Sequence, residues 1–150
     1  MDQNRNQAMD PRTLAQRAAA AMWADDRASQ GLGMTLLAVD AGSARLAMTV
    51  GEAMVNGLDI CHGGFIFTLA DSACAFASNS HNSRAVLQSG QITLIAPAKR
   101  GMRLIAEARQ QHQGERSGIY DVTVRTEAGE IIAEFRGHVR TIPGTLVATG

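Results

Sequence analysis

Apolar and polar residues recur along this chain with two different periods, and the change of period divides it into parts. From Asp10 to about Ala28 the spacing is helical: Leu14, Ala18 and Met22 fall every four residues, with Ala15, Ala19 and Trp23 beside them. Asp10-Pro11 has the form of an N-cap followed by proline in the first turn, and Gly31 and Gly33 mark the end. Residues 34–39 and 44–50 then read as strands joined by a turn at Asp40-Ala41-Gly42-Ser43. In the second, Leu46, Met48 and Val50 alternate with Arg45, Ala47 and Thr49, as in a half-buried strand. Residues 51–62 form a loop that contains Asn56-Gly57. Helical spacing returns over residues 63–80, where Phe65, Ile66, Leu69, Ala70, Ala73, Phe76 and Ala77 leave only small residues over most of the remaining surface. A helix that is apolar nearly all round is a buried helix. After it the period falls to two and stays there, predicting strands over 85–95, 102–112, 118–126 and 131–140.

The order α-β-β-α-β-β-β-β lacks the alternation of a parallel βαβ protein. It predicts an α+β fold, one antiparallel sheet curved around one apolar helix. A single domain is expected over residues 13–143, with flexible ends at 1–12 and 144–150.

Composition narrows the function without naming it. The 150 residues are 45% hydrophobic but only 4% aromatic, so the core must be built from Ala, Val, Ile, Leu and Met. Fourteen basic residues balance fourteen acidic ones and form no stripe, which argues against a nucleic-acid partner; a small anion needs only a few local cations. The N-terminal residues are polar, and no apolar run approaches the roughly 20 residues of a membrane span, so a cytoplasmic protein with no membrane partner is expected. Cys61 and Cys74 have no metal-ligand spacing, and His81, His112 and His138 are scattered, so no metal site is expected.

Two features carry chemistry. Asp71 stands inside the apolar helix amid Phe67, Leu69, Ala70, Ala73 and Cys74, where a carboxylate needs a partner or a purpose. Its bland alternative is a solvent-lined helix edge or a distant arginine. His62-Gly63-Gly64 opens the same helix, and the two glycines leave its first N–H groups unobstructed for an oxyanion or a phosphate, or simply make a tight turn. Gly63 and Asp71 are about 12 Å apart along the helix axis, too far to meet at one carbonyl, where both groups must lie about 3 Å away. Two such helices running antiparallel across a two-fold axis bring Gly63 of one subunit to Asp71 of the other. If both residues act, the protein is at least a dimer. Cys61-His62 is a weaker candidate, a thiol beside a base, and Lys99, Arg100 and Arg103 cluster at a turn that could hold phosphates.

The segments Met54-Val55-Asn56-Gly57, Cys61-His62-Gly63-Gly64 and Leu69-Ala70-Asp71-Ser72-Ala73 together resemble the phenylacetic acid degradation (PaaI-type) thioesterase family. Trp23-Ala24-Asp25-Asp26 leading to Gly31-Leu32-Gly33, Ile92-Thr93-Leu94-Ile95-Ala96-Pro97 and Phe135-Arg136-Gly137 extend the likeness over roughly residues 20–142. The resemblance implies a hotdog fold, a homodimer or a homotetramer, and hydrolysis of acyl-CoA thioesters, with aryl groups such as phenylacetyl or hydroxyphenylacetyl. Coenzyme A would belong to the substrate, and no separate cofactor is implied. By carry-over, Asp71 is nucleophile or general base, Gly63 N–H polarises the thioester carbonyl, and Asn56 and His62 order the surroundings. Gly64, Phe65, Ser89, Gln91, Lys99, Arg100, Gly114 and Arg116 are the expected substrate contacts. At the Gly114 turn Glu115 stands where related enzymes carry a basic residue, leaving Arg116 as the substitute. The rival readings are a hotdog acyl-thioester dehydratase or hydratase, which would recruit His62, and a non-catalytic acyl-CoA binding module.

Overall fold

Asp10 does cap the first helix: its carboxylate accepts from Thr13 N–H at 3.2 Å and Pro11 occupies the first turn, where its missing N–H costs nothing. In the computed structural model, which describes residues 8–150, α1 runs Pro11–Asp25 and buries Ala15, Ala18 and Ala19. The helical spacing to Ala28 is broken once. The Asp26 side chain accepts from Ser29 N–H at 3.0 Å and starts a second short helix, α2 (Arg27–Gly31). An aspartate competes with the helix backbone for donors, so the pattern of apolar residues continues while the backbone turns.

The strands are β1 (Thr35–Asp40), β2 (Ser43–Thr49), β3 (Ala85–Leu94), β4 (Arg103–Gln113), β5 (Ser117–Thr126) and β6 (Ile131–Thr141), with α3 (Gly63–Ser78) between β2 and β3 and a 3₁₀ turn at Glu52–Met54. They form one antiparallel sheet in the order β1-β2-β4-β5-β6-β3. Thus β3 leaves the helix, crosses to the far side of the sheet and pairs only with β6. Its other edge is unpaired among the described residues.

The helix α3 lies across the concave face. Leu69, Ala70, Ala73 and Ala77 are fully buried against Leu46, Leu104, Ala106, Val122 and Val124 from the strands. Burying each of the larger aliphatic side chains contributes about 1.5–3 kcal/mol. The small residues on the helix let it sit close to the sheet, which explains how a chain with few aromatics fills its core. α1 and α2 cover one flank of α3, with Trp23 tilted 45° against Phe76 at 6.1 Å and Ser29 Oγ hydrogen-bonded to Ser72 Oγ at 2.9 Å.

Of the expected flexible ends, residues 1–7 lie outside the described residues, while Pro11 and Arg12 already belong to α1. At the other end Asn82, with φ of 66°, accepts from the N–H groups of Leu146 and Val147 and donates to the Val147 carbonyl. Arg84 donates to the Thr145 carbonyl, so the chain is strapped down as far as Val147. Among the described residues no helix is long and apolar enough to cross a membrane.

Candidate active site

The start of α3 is built by the loop before it. Asn56 Oδ1 accepts from Leu58 N–H at 2.9 Å and Ile60 N–H at 3.2 Å, and Asn56 and Ile60 also join through their backbones. An Asx turn of this kind fixes a tight loop without help from the core. Cys61 N–H donates to the Ala98 carbonyl and His62 N–H to the Met54 carbonyl, both at 2.7 Å, which aims the chain into the helix. The Asn56 side-chain amide donates to nothing among the described residues and is exposed.

His62 is the N-cap of α3. Its Nδ1 accepts from Gly64 N–H at 3.1 Å, so that nitrogen carries no proton, and its carbonyl takes Phe65 N–H at 3.0 Å. Gly63 N–H is therefore the first donor of the helix left without an acceptor among the described residues. The positive end of the helix dipole adds to its pull on a developing negative charge. A Cβ at Gly63 would lie 2.6 Å from Leu94 Cδ1, so the exposed Leu94 side chain would have to swing aside to admit one. Phe65 sits edge-on to the His62 ring at 6.4 Å, and Gly64 is exposed.

Asp71 lies two turns along the same helix, half-buried. It forms no ion pair and accepts no hydrogen bond among the described residues, and burial alone pushes its carboxyl pKa up from the ordinary 3.8. Phe67, one turn before it, meets Phe135 edge-to-face at 5.3 Å. Cys74, nearly one turn after it, is buried, and burial together with the Asp71 charge pushes its thiol up to about 12, so it is not a thiolate nucleophile. Burial likewise pushes the Cys61 thiol up, and Cys61 Sγ turns back to the His62 carbonyl at 3.6 Å. The Cys61-His62 pair is not a nucleophile with its base. What the helix offers is one unpaired carboxylate and one unpaired N–H donor, the minimum set for attack on an activated acyl group.

Comparison with known proteins agrees with that reading. Residues 58–133, about half of the chain, match the thioesterase superfamily. The acyl-coenzyme A thioesterase PaaI of Escherichia coli is 38% identical over 128 residues, covering 85% of this chain and 91% of that protein. The chain belongs to the thioesterase superfamily. The solved structure of the E. coli PaaI protein superposes with a TM-score of 0.89 at 37% identity, covering 91% of this chain and 99% of that one, and the fold is the hotdog. A structure from Thermus thermophilus, the TT0310 protein, gives a TM-score of 0.75 at 34% identity over 78% of this chain and 98% of that one.

Within this thioesterase the expected substrate contacts divide by position. Lys99 and Arg100 stand at the turn before β4, where Lys99 bridges to Ile60 and Arg100 pairs with Asp59 at 3.6 Å. They flank the loop that carries Asn56 and lie at the same end of the molecule as Gly63. Gly114 and Arg116 stand at the other end of β4, an 11-residue strand, and so roughly 35 Å away at about 3.3 Å per residue. The fold does not bring these two turns together in one subunit.

Ser89 and Gln91 are also not at Asp71. Gly90, between them, faces α3: a Cβ there would meet the Phe135 ring at 3.0 Å and Phe67 Cζ at 3.4 Å. Its neighbours must point to the opposite face, and there Ser89 pairs with His138 and Gln91 with Arg136.

Proposed function

We propose that this protein hydrolyses acyl-CoA thioesters to the free acid and CoA, with Asp71 as the nucleophile or the base for water and with a Gly63 N–H as the oxyanion donor. The reading is carried by one observation: the half-buried Asp71 carboxylate and the free Gly63 N–H share one helix, with no partner for either among the described residues. A group held this way has not been stabilised by the fold and is available to a substrate. The CoA thiolate is a good leaving group, so one carboxylate and one oxyanion donor suffice without a strong general acid.

Eight residues of helix separate the two groups, so one site needs Asp71 of one subunit and the partner subunit's Gly63. The free edge of β3 supports a dimer that supplies it. That edge exposes Val86 (47%) and Leu94 (51%), with Ile95 (54%) directly after the strand. An unpaired apolar edge is a template for a second strand. Joining two β3 edges sets the two α3 helices side by side and antiparallel. Asn56 orders the loop at the oxyanion end, while Lys99 and Arg100 offer charge for the CoA phosphates. The E. coli relative is described as part of a phenylacetic acid degradation operon, and the Phe67–Phe135 pair beside Asp71 offers an apolar wall to an aryl acyl group such as phenylacetyl.

The test is release of free CoA, read with a thiol reagent, across phenylacetyl-, hydroxyphenylacetyl- and straight-chain alkyl-CoA. Aryl esters should show the highest kcat/KM; no thiol release from any of them would refute the proposal. Mixed dimers of Asp71→Ala and Asn56→Ala chains should recover activity at one of their two sites. Confirmed heterodimers that stay inactive would refute the shared site.

A further inference from the structure

α3 and β3 run antiparallel along one contact. Gly63 lies against Leu94, Phe67 lies against Gly90, and Cys74 and Leu87 both lie against Gly137 of β6. Asp71 follows Phe67 by four residues and precedes Cys74 by three, so all three share the helix face that meets β3. On the strand, Gly90 and Leu87 bracket Gln88 and Ser89 as Phe67 and Cys74 bracket Asp71 on the helix.

The same strand carries a β-bulge at this point. Leu87 pairs with Val139 and Ser89 with His138, adjacent residues of β6, so Gln88 has no partner. Alternation back from the inward-facing Gly90 places Ser89 outside and Gln88 inside, toward α3. Leu87 faces α3 as well, through its contact at Gly137. Two successive residues therefore face the helix, and only the bulge allows it. Bulges that re-aim a side chain concentrate beside active sites. The Gln88 side chain is exposed and hydrogen-bonds to nothing among the described residues, and the Asp71 carboxylate on the facing side of α3 accepts no hydrogen bond there either.

We propose that Gln88 is a further residue of this site and holds the attacking water between its carboxamide and the Asp71 carboxylate, an inference that rests on the thioesterase reading above. The Gln88 carboxamide oxygen accepts from one O–H of the water, and Asp71 takes the proton of the other. The water oxygen forms the new C–O bond as the C–S bond breaks. The proton on Asp71 then passes to the departing thiolate, giving acid and free thiol.

Gln88→Ala and Gln88→Leu test it in the full-length protein, with phenylacetyl-CoA as the probe and thermal melts to confirm folding. Loss of one neutral hydrogen bond should lower kcat about 3- to 10-fold, with KM within about twofold and Gln88→Asn in between. With added hydroxylamine, a nucleophile that needs no such holding, the ratio of hydroxamate to acid should rise in Gln88→Ala, which a merely structural role would not produce. Unchanged kcat, or a lowered kcat with an unchanged product ratio, overturns the proposal. Wild-type protein that releases no CoA overturns this inference and the thioesterase reading together. An active wild type with an inactive Asp71→Asn leaves Gln88 to be judged alone.

Discussion

Replacing Asp71 by Asn should move activity and stability in opposite directions. The two side chains are close in size, so the exchange removes charge and basicity without opening a cavity. Neither of its neighbours on the same helix face can take over its role: Phe67, one turn before it, has no titratable group, and the Cys74 thiol has been pushed up to about 12. The rate should therefore fall by the 10²–10⁴-fold typical of a lost acid–base group, about 2.7–5.4 kcal/mol of transition-state stabilisation. Stability should rise at neutral pH. Burial raises the Asp71 pKa above the ordinary 3.8, so the folded state holds its proton more tightly than the unfolded chain does. The stability this group contributes is then complete below about pH 3.8 and is lost as pH rises through the folded value. Wild type should show that decline and Asp71→Asn should not, so the difference in melting temperature favours the variant at pH 7 and shrinks on acidification. CoA release by thiol reagent, with melts followed by circular dichroism across the same pH range, reads both quantities. Near-normal turnover would remove the mechanism. Lost turnover with a lower melting temperature at pH 7 would refute the claim that the carboxylate sits unpaired.

Two further predictions concern the frame around the site. Gly137→Ala introduces a Cβ 2.8 Å from Cys74 Sγ, 2.9 Å from the Phe135 ring and 3.1 Å from Leu87, at the level where α3 rests on β3. Overpacking of this kind costs about 1–3 kcal/mol, each kcal/mol lowering the melting temperature by about 2–4 °C in a chain of this size. An unchanged or higher melting temperature would show that the contact yields freely. Asn82→Gly keeps the positive φ but removes the three hydrogen bonds that hold Leu146 and Val147, so amide exchange there should quicken while the core stays protected. Unchanged protection at 146 and 147 would mean that the strap is held by other contacts.

Much of this molecule is written in local patterns. Period-two and period-3.6 spacing marks where the strands and both long helices lie, because burial on one face demands it whatever the partners are. Asp10-Pro11 and His62-Gly63-Gly64 mark helix starts because capping is a local hydrogen-bonding problem. Asp71 stands out because a carboxylate in an apolar helix is expensive wherever that helix packs. The loop order from Asn56 to Ile60 follows in the same way from one side chain within reach of its own backbone.

What the tertiary structure alone decided is non-local. Nothing in residues 85–94 says that their strand crosses to pair with β6 and ends the sheet, because pairing is settled by competition among six strands for neighbours. The bulge at Gln88 is equally silent. The family resemblance assigns Ser89 and Gln91 to the site, and one extra residue against β6 sends both to the outer face and turns Gln88 inward. A register shift by one residue has no side-chain signature; it is set by which backbone groups meet across the ladder, and these meet only when the sheet is built.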